Sequence, residues 1–374
     1  MSKRTHQDQD TVVENKRIRT DKEEGHAEDC VDDLCQGCDV GEVEISFIRK
    51  DAQGQTIDTE PSAQELLVMA IEESNQDIKL RLFDLALEKY QKEEPENRVG
   101  YATCLVELGK GIDVQESIRE GLDVLRGEKT KTADIKLAIS GAAIALALSI
   151  RHKQLNFFTE EQEKLDPEDT DALDELVEKQ IPSKEQLDLY KESIDRFKEA
   201  TKEEEQVDEA MLKEAHTVLN EIRTFGQLLS QPVPNDQTTK VLNTVIELIQ
   251  QLPKHKENDE FLTLWAACLL NQTKEGQSEK ESLDTMKKIE ELLLKANTLH
   301  AAKHEKENPW VWEMLAMNRI NQSNLADDED QAIDLYEEAI EAFKKAQALK
   351  PDDPQLANML QMLMACEEEQ EEEE

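Results

Sequence analysis

Four residues in the stretch GHAEDCVDDLCQGC, His26, Cys30, Cys35 and Cys38, are the soft ligands that tetrahedral zinc takes. Cys35-Gln36-Gly37-Cys38 has the CxxC bite of one zinc knuckle, but a lone CxxC is a weak signature and no second pair follows it. No metal is therefore expected, and were zinc to bind, these four are its ligands. His300 and His304, in HAAKH, lie one turn apart on an expected helix and could share an ion. The HExxH pattern needs Glu after the first His, position 301 is Ala, and no third ligand is evident, so a solvated helix face is the expectation. GEKTKT at Gly127 lacks the Gly-Lys-Ser/Thr adjacency of a phosphate loop. The acidic run from Asp166 to Asp174 lacks the Gly and closing Glu of a calcium loop, and reads as a solvated linker or a surface for basic ligands. With no nucleophile, base or cofactor constellation, the chain is expected not to be an enzyme and to need no cofactor.

A second kind of chemistry is in the charges. The chain carries 85 acidic and 44 basic residues, a net charge of −41, so duplex DNA and anionic lipid are repelled by most of its surface. The expected partners are proteins with basic surfaces, with no direct nucleic acid and no membrane. Against this background two basic clusters stand out, Lys3-Arg4 and Lys16-Arg17-Ile18-Arg19, separated by eleven residues. That is the spacing of a bipartite nuclear localisation signal formed by Lys3, Arg4, Lys16, Arg17 and Arg19. Two clusters on one tether fill two acidic pockets of a carrier, the second at raised effective concentration. The expected location is the nucleus, with shuttling to the cytoplasm allowed, and a nuclear import carrier is an expected partner.

The elements behind these residues read as all-α. Aromatics are 4% of the chain, and 12 Gly and 10 Pro are few for a turn-dense sheet protein. The six cysteines, Cys30, Cys35, Cys38, Cys104, Cys268 and Cys366, are sparse and irregular, which suits a reduced compartment. The N-terminus is too polar for a secretory signal. The run LAISGAAIALALSI, Leu137 to Ile150, is short of the ~20 residues of a membrane span and reads as a buried core helix.

Residues 1–60 are expected to be a disordered arm, with one extended segment at Val43 to Lys50. From Pro61 a 3.6-residue period takes over. Ala63, Leu66, Leu67, Ala70 and Ile71 form one buried stripe, Val241, Val245, Leu248, Ile249 and Leu252 another, and Ile289, Leu292, Leu293 and Ala296 a third. Breaks at Pro95, Pro182, Pro232 to Pro234, Pro309 and Pro351 divide the chain into about a dozen helices. The expected organisation is helical repeats over 61–157, an acidic junction over 158–186, helical repeats over 187–366, and an acidic tail over 367–374 into which the last helix frays.

The stretch from Trp310 to Pro354 resembles a tetratricopeptide repeat. Its first helix offers Trp312, Leu315 and Ala316, its second Ala339, Phe343 and Ala346, and Pro351 follows. Small Ala residues allow close helices, large rings fill the groove, and Pro stops the second helix. FLTLWAACLL, with Phe261, Leu264, Trp265 and Cys268, and LVELGKGI, with Leu105, Leu108, Gly109 and Ile112, are weaker copies. Stacked, such pairs make an α-solenoid or a compact helical array. A basic clamp for acidic peptides is disfavoured, because Glu313 and Met317 stand where Lys, Arg or Asn are needed.

The basic arm, the acidic helical array and the block ENPWVWEMLAMNRINQSNLADDEDQAIDLYEEAIEAFKKA together resemble the fungal enhancer of translation termination family. That family includes the nuclear negative regulator of an oxygen-sensing prolyl hydroxylase. The resemblance implies a nuclear, non-enzymatic adaptor that binds a 2-oxoglutarate- and iron-dependent prolyl hydroxylase and a ribosomal protein, affecting translation termination and transcriptional regulation. The other reading is an acidic chaperone or import escort for basic proteins such as histones or ribosomal proteins, with the Glu tail doing most of the binding.

Overall fold

A computed structural model describes residues 11–16, 44–50, 56–57, 60–166, 170–202, 207–233, 236–272 and 279–371. By compactness the chain divides into two units, Met1–Glu128 and Lys129–Glu374. The acidic stretch 158–186 thus lies inside the second unit.

The first unit begins with three short strands, β1 (Thr11–Lys16), β2 (Glu44–Lys50) and β3 (Thr56–Ile57). The extended segment expected at Val43 to Lys50 is β2, and it has two antiparallel neighbours that the sequence did not announce: Val13 faces Phe47 in register, and Arg49 faces Ile57. Four helices follow, α1 (Ala63–Glu72), α2 (Gln76–Lys92), α3 (Arg98–Ile112) and α4 (Gln115–Gly127). Ser62 starts α1 with a capping box, its hydroxyl accepting from the Glu65 amide while Glu65 accepts from the Ser62 amide at 2.8 Å. Asn75 and Asn97 cap α2 and α3 through their side chains. Leu66, Leu67, Ala70, Leu82, Phe83, Ala86, Tyr90 and Cys104 close the core. Ile71, expected in the first stripe, is instead 48% exposed, one residue before α1 ends. α3 and α4 approach so closely that a Cβ on Gly121 would sit 2.7 Å from the Ala102 carbonyl oxygen.

The second unit is helical among its described residues: α5 (Ala133–Gln162), α6 (Thr170–Glu178), α7 (Lys184–Ala200), α8 (Glu209–Leu229), α9 (Asp236–Gln251), α10 (Asp259–Leu270), α11 (Glu279–His304), α12 (Pro309–Ser323), α13 (Glu329–Leu349) and α14 (Pro354–Glu371). By length and composition α5 could cross a membrane, but most of its apolar stretch is buried against α7 and α8. Small residues let α7 come close, and the Ser140 hydroxyl donates to the Ser193 carbonyl at 2.7 Å with both side chains fully buried. Inside the run from Asp166 to Asp174, read as a solvated linker or a surface for basic ligands, α6 starts at Thr170, and just past that run it buries Leu176. Val241, Val245, Leu248, Ile249 and Leu252 are all buried, as are Ile289, Leu293 and Ala296, with Leu292 half-buried. The last helix does not fray after Cys366 but runs to Glu371, since Glu is a good helix former even where the macrodipole opposes it.

The chain is thus all-α in its body, a succession of hairpins in which α1 packs on α2, α3 on α4, α8 on α9, α10 on α11, and α12 on α13. Short connections place consecutive helices side by side, and within each unit hairpins pack on one another, α2 against α3 in the first, α9 against α10 and α11 against α12 in the second.

Candidate protein-docking surface

The C-terminal hairpins are held by residues that face both ways. Trp312 on α12 is half-buried between two clusters, one with Leu293, Ala296 and Val311, the other with Ala339, Phe343 and Ala346. Its indole N–H donates to Glu307 at 3.2 Å, and the Lys345 ammonium lies 4.2 Å from the ring centroid, a cation–π contact from α13. Leu315, Ala316, Ala339, Phe343 and Ala346 are buried, and Pro351 is exposed two residues past the end of α13. Arg319, on the same helix, forks between Glu290 of α11 at 2.9 Å and Glu338 of α13. Asn318, fully buried one residue earlier, donates to the Met286 carbonyl at 3.0 Å. Asn297 fixes the turn between α11 and α12 by donating to Glu307 and accepting from the Asn308 amide.

What these contacts leave on the surface is apolar side chains among carboxylates. Trp310 and Met317 of α12, Ile333 and Leu349 of α13, and Met359, Met362 and Met364 of α14 are exposed, Met362 by 70%. Methionine is adaptable and over-used at surfaces that bind other proteins. The Arg223 guanidinium of α8 lies 5.9 Å from the Trp310 ring. Glu313, disfavoured above for a basic clamp, is partly buried, and burial raises its pKa while Lys350 lowers it. In the first unit an open cleft of about 520 Å³ is lined by Arg98, Glu116, Arg119, Glu120, Asp123 and Val124, charges of both signs without a nucleophile among them. Cys104 and Cys268 are buried, and burial pushes both thiols up to about 12, the reverse of what a nucleophile needs.

Of the localisation residues, Lys16 ends β1 and faces Glu44 in register, while Lys3, Arg4, Arg17 and Arg19 lie outside the described residues. So do the zinc candidates His26, Cys30, Cys35 and Cys38, and the last residues of the acidic tail. His300 and His304 are on the last turns of α11, and there the structure adds what the sequence did not: the Asp259 carboxylate, from the start of α10, is 2.8 Å from His300 Nδ1. Forty-one residues separate the two in the chain, and only the Asn258-Asp259 cap signal marks the place.

No family model matches the chain and no curated protein does. Two solved structures are similar at low identity. One is of the S. pombe nuclear import adaptor Nro1, with 11% identity and a TM-score of 0.44, covering 80% of this chain and 97% of that one. The other, of Nro1 as a hypoxic regulator of sterol synthesis and nuclear import adaptor, has 11% identity and a TM-score of 0.43, covering 80% and 91%.

Proposed function

We propose that this chain is a nuclear, non-enzymatic adaptor whose helical hairpins hold other proteins. The observation that carries the reading is the C-terminal array itself: α10 to α14 are locked by Trp312, Arg319 and Asn318, yet expose Trp310 and a row of methionines on a body of net charge −41. A rigid acidic scaffold with adaptable apolar anchors fits partners with basic surfaces, the charge speeding encounter and the anchors supplying affinity. The arm 1–60 serves as the address, read by an import carrier through its two basic clusters, and the groups 61–157 and 187–366 on either side of 158–186 do the gripping. The solved structures above are of a nuclear import adaptor; for this chain the role rests on its own charges, arm and hairpins.

In its finer form, drawn from the resemblance of the C-terminal block, the adaptor binds a 2-oxoglutarate- and iron-dependent prolyl hydroxylase and a ribosomal protein, and so enhances translation termination and affects gene expression. The acidic run from Glu367 favours a second reading, a chaperone or import escort for basic proteins. Deleting residues 367–374 separates the two. The adaptor keeps its partner with affinity changed by less than about threefold, whereas a chaperone loses most of its binding and of its salt dependence.

A further inference from the structure

We propose that Asp259, His300 and His304 form a binding site for one divalent transition-metal ion, zinc first among them. Local sequence makes the site. The Asn258 side chain accepts from the Phe261 amide at 3.0 Å and starts α10, which puts Asp259 at the first helical position, 5% exposed. HAAKH puts two imidazoles four residues apart on the final turns of α11, on one face, with ring centroids 4.4 Å apart. The hairpin then brings the start of α10 to the end of α11.

One ligand atom from each of the three side chains lies within 4.8 Å of the others. Tetrahedral coordination at about 2.1 Å needs ligand atoms about 3.4 Å apart. Binding therefore replaces the 2.8 Å His300–Asp259 hydrogen bond, with any shared proton released and the two atoms moving apart by about 0.6 Å, while the ring of His304, which is exposed and ends its helix, rotates in. Two nitrogens and one carboxylate oxygen suit zinc and its neighbours, whereas calcium and magnesium ask for all-oxygen shells and copper(I) for sulfur. Burial is graded from Asp259 to half-buried His300 to exposed His304, so the remaining coordination position faces solvent. The buried Asp259 carboxylate is met by His300 at 2.8 Å and by the positive N-terminal end of α10, and a divalent ion at this place adds a third positive neighbour. The carbonyls at the end of α11 add a negative field at the same place. His216 of α8, edge-on to Phe261, is outside the ligand set. The ion clamps the open end of the α10–α11 hairpin, and because the three ligands come together only in the folded chain, binding stabilises the fold.

The test uses the untagged full-length chain with Cys30, Cys35 and Cys38 changed to Ser, which removes the thiolate candidates. Zinc is titrated by calorimetry, and cobalt is substituted for its optical spectrum. The proposal expects one equivalent bound, a cobalt spectrum without thiolate charge-transfer bands, and a thermal midpoint that rises with zinc. His304→Ala, at an exposed position, leaves the circular dichroism unchanged, lowers zinc affinity about 100-fold and abolishes the thermal shift. His304→Gln behaves likewise. No stoichiometric binding in the Ser background, or binding equal in both His304 variants and their parent, reduces the cluster to an Asp–His hydrogen bond and overturns the proposal.

Discussion

The guanidinium of Arg151, on α5, donates to the main-chain carbonyl of Gln180, just beyond the end of α6, and the same group reaches the carbonyls of Leu228 and Gln231 where α8 ends. Arg151 is 1% exposed, and its charge is balanced by the carbonyl ends of two helices together with the Gln154 side chain at 3.0 Å. Burial lowers its pKa without removing the proton. Arg151→Met removes the group that reaches all three carbonyls, and is expected to destabilise the second unit by about 3–5 kcal/mol. Chemical denaturation measures this, and a loss under about 1 kcal/mol contradicts the role given to Arg151.

Gly121 sets two effects against each other. In an exposed helix Gly→Ala stabilises by roughly 1 kcal/mol. Here the added methyl meets the Ala102 carbonyl and a Val106 methyl, at 2.7 and 2.8 Å. The clash with backbone dominates, and Gly121→Ala is expected to lower stability by about 1–3 kcal/mol. A raised melting temperature means that α3 and α4 do not pack this closely.

Alkaline pH should destabilise the fold through Cys104 and Cys268. Each thiol is pushed from 9.0 up to about 12 by burial. The folded chain therefore keeps protons that the unfolded chain gives up above pH 9, so stability is full below 9 and falls as pH rises towards 12, by up to ~1.4 kcal/mol per pH unit for each thiol. Native alkylation at pH 8, mapped by mass spectrometry, should leave both cysteines unmodified until the chain unfolds. Rapid labelling of either one contradicts its burial.

The helical stripes were legible because burial on one face imposes a 3.6-residue period, and Val241 to Leu252 shows it without exception. Ile71 broke the pattern because periodicity says which face turns inward but not how far along its own helix that face stays covered, and α1 ends at Glu72. Long-range partners were beyond reach: nothing near Thr11 announces pairing with Arg49, and nothing near His300 announces Asp259. Arg151 is a sharper case, since an arginine closing an apolar run reads as a return to solvent, while its carbonyl partners lie 29 to 80 residues away and carry no side-chain signature. The helix α6 was not legible in the run from Asp166 to Asp174 for a related reason. The charge of that run suggested a solvated linker or a surface for basic ligands, while the buried residues that follow, Leu176 and Gln180, are spaced one helical turn apart among carboxylates.

The adaptor reading is tested most directly by affinity purification of the full chain from nuclear extract with quantitative mass spectrometry, run beside a chain ending at Cys366. The expected result is recovery of a 2-oxoglutarate-dependent prolyl hydroxylase and a ribosomal protein by both, in similar yield. Recovery of neither, or recovery of basic proteins only while the glutamate tail is present, contradicts it.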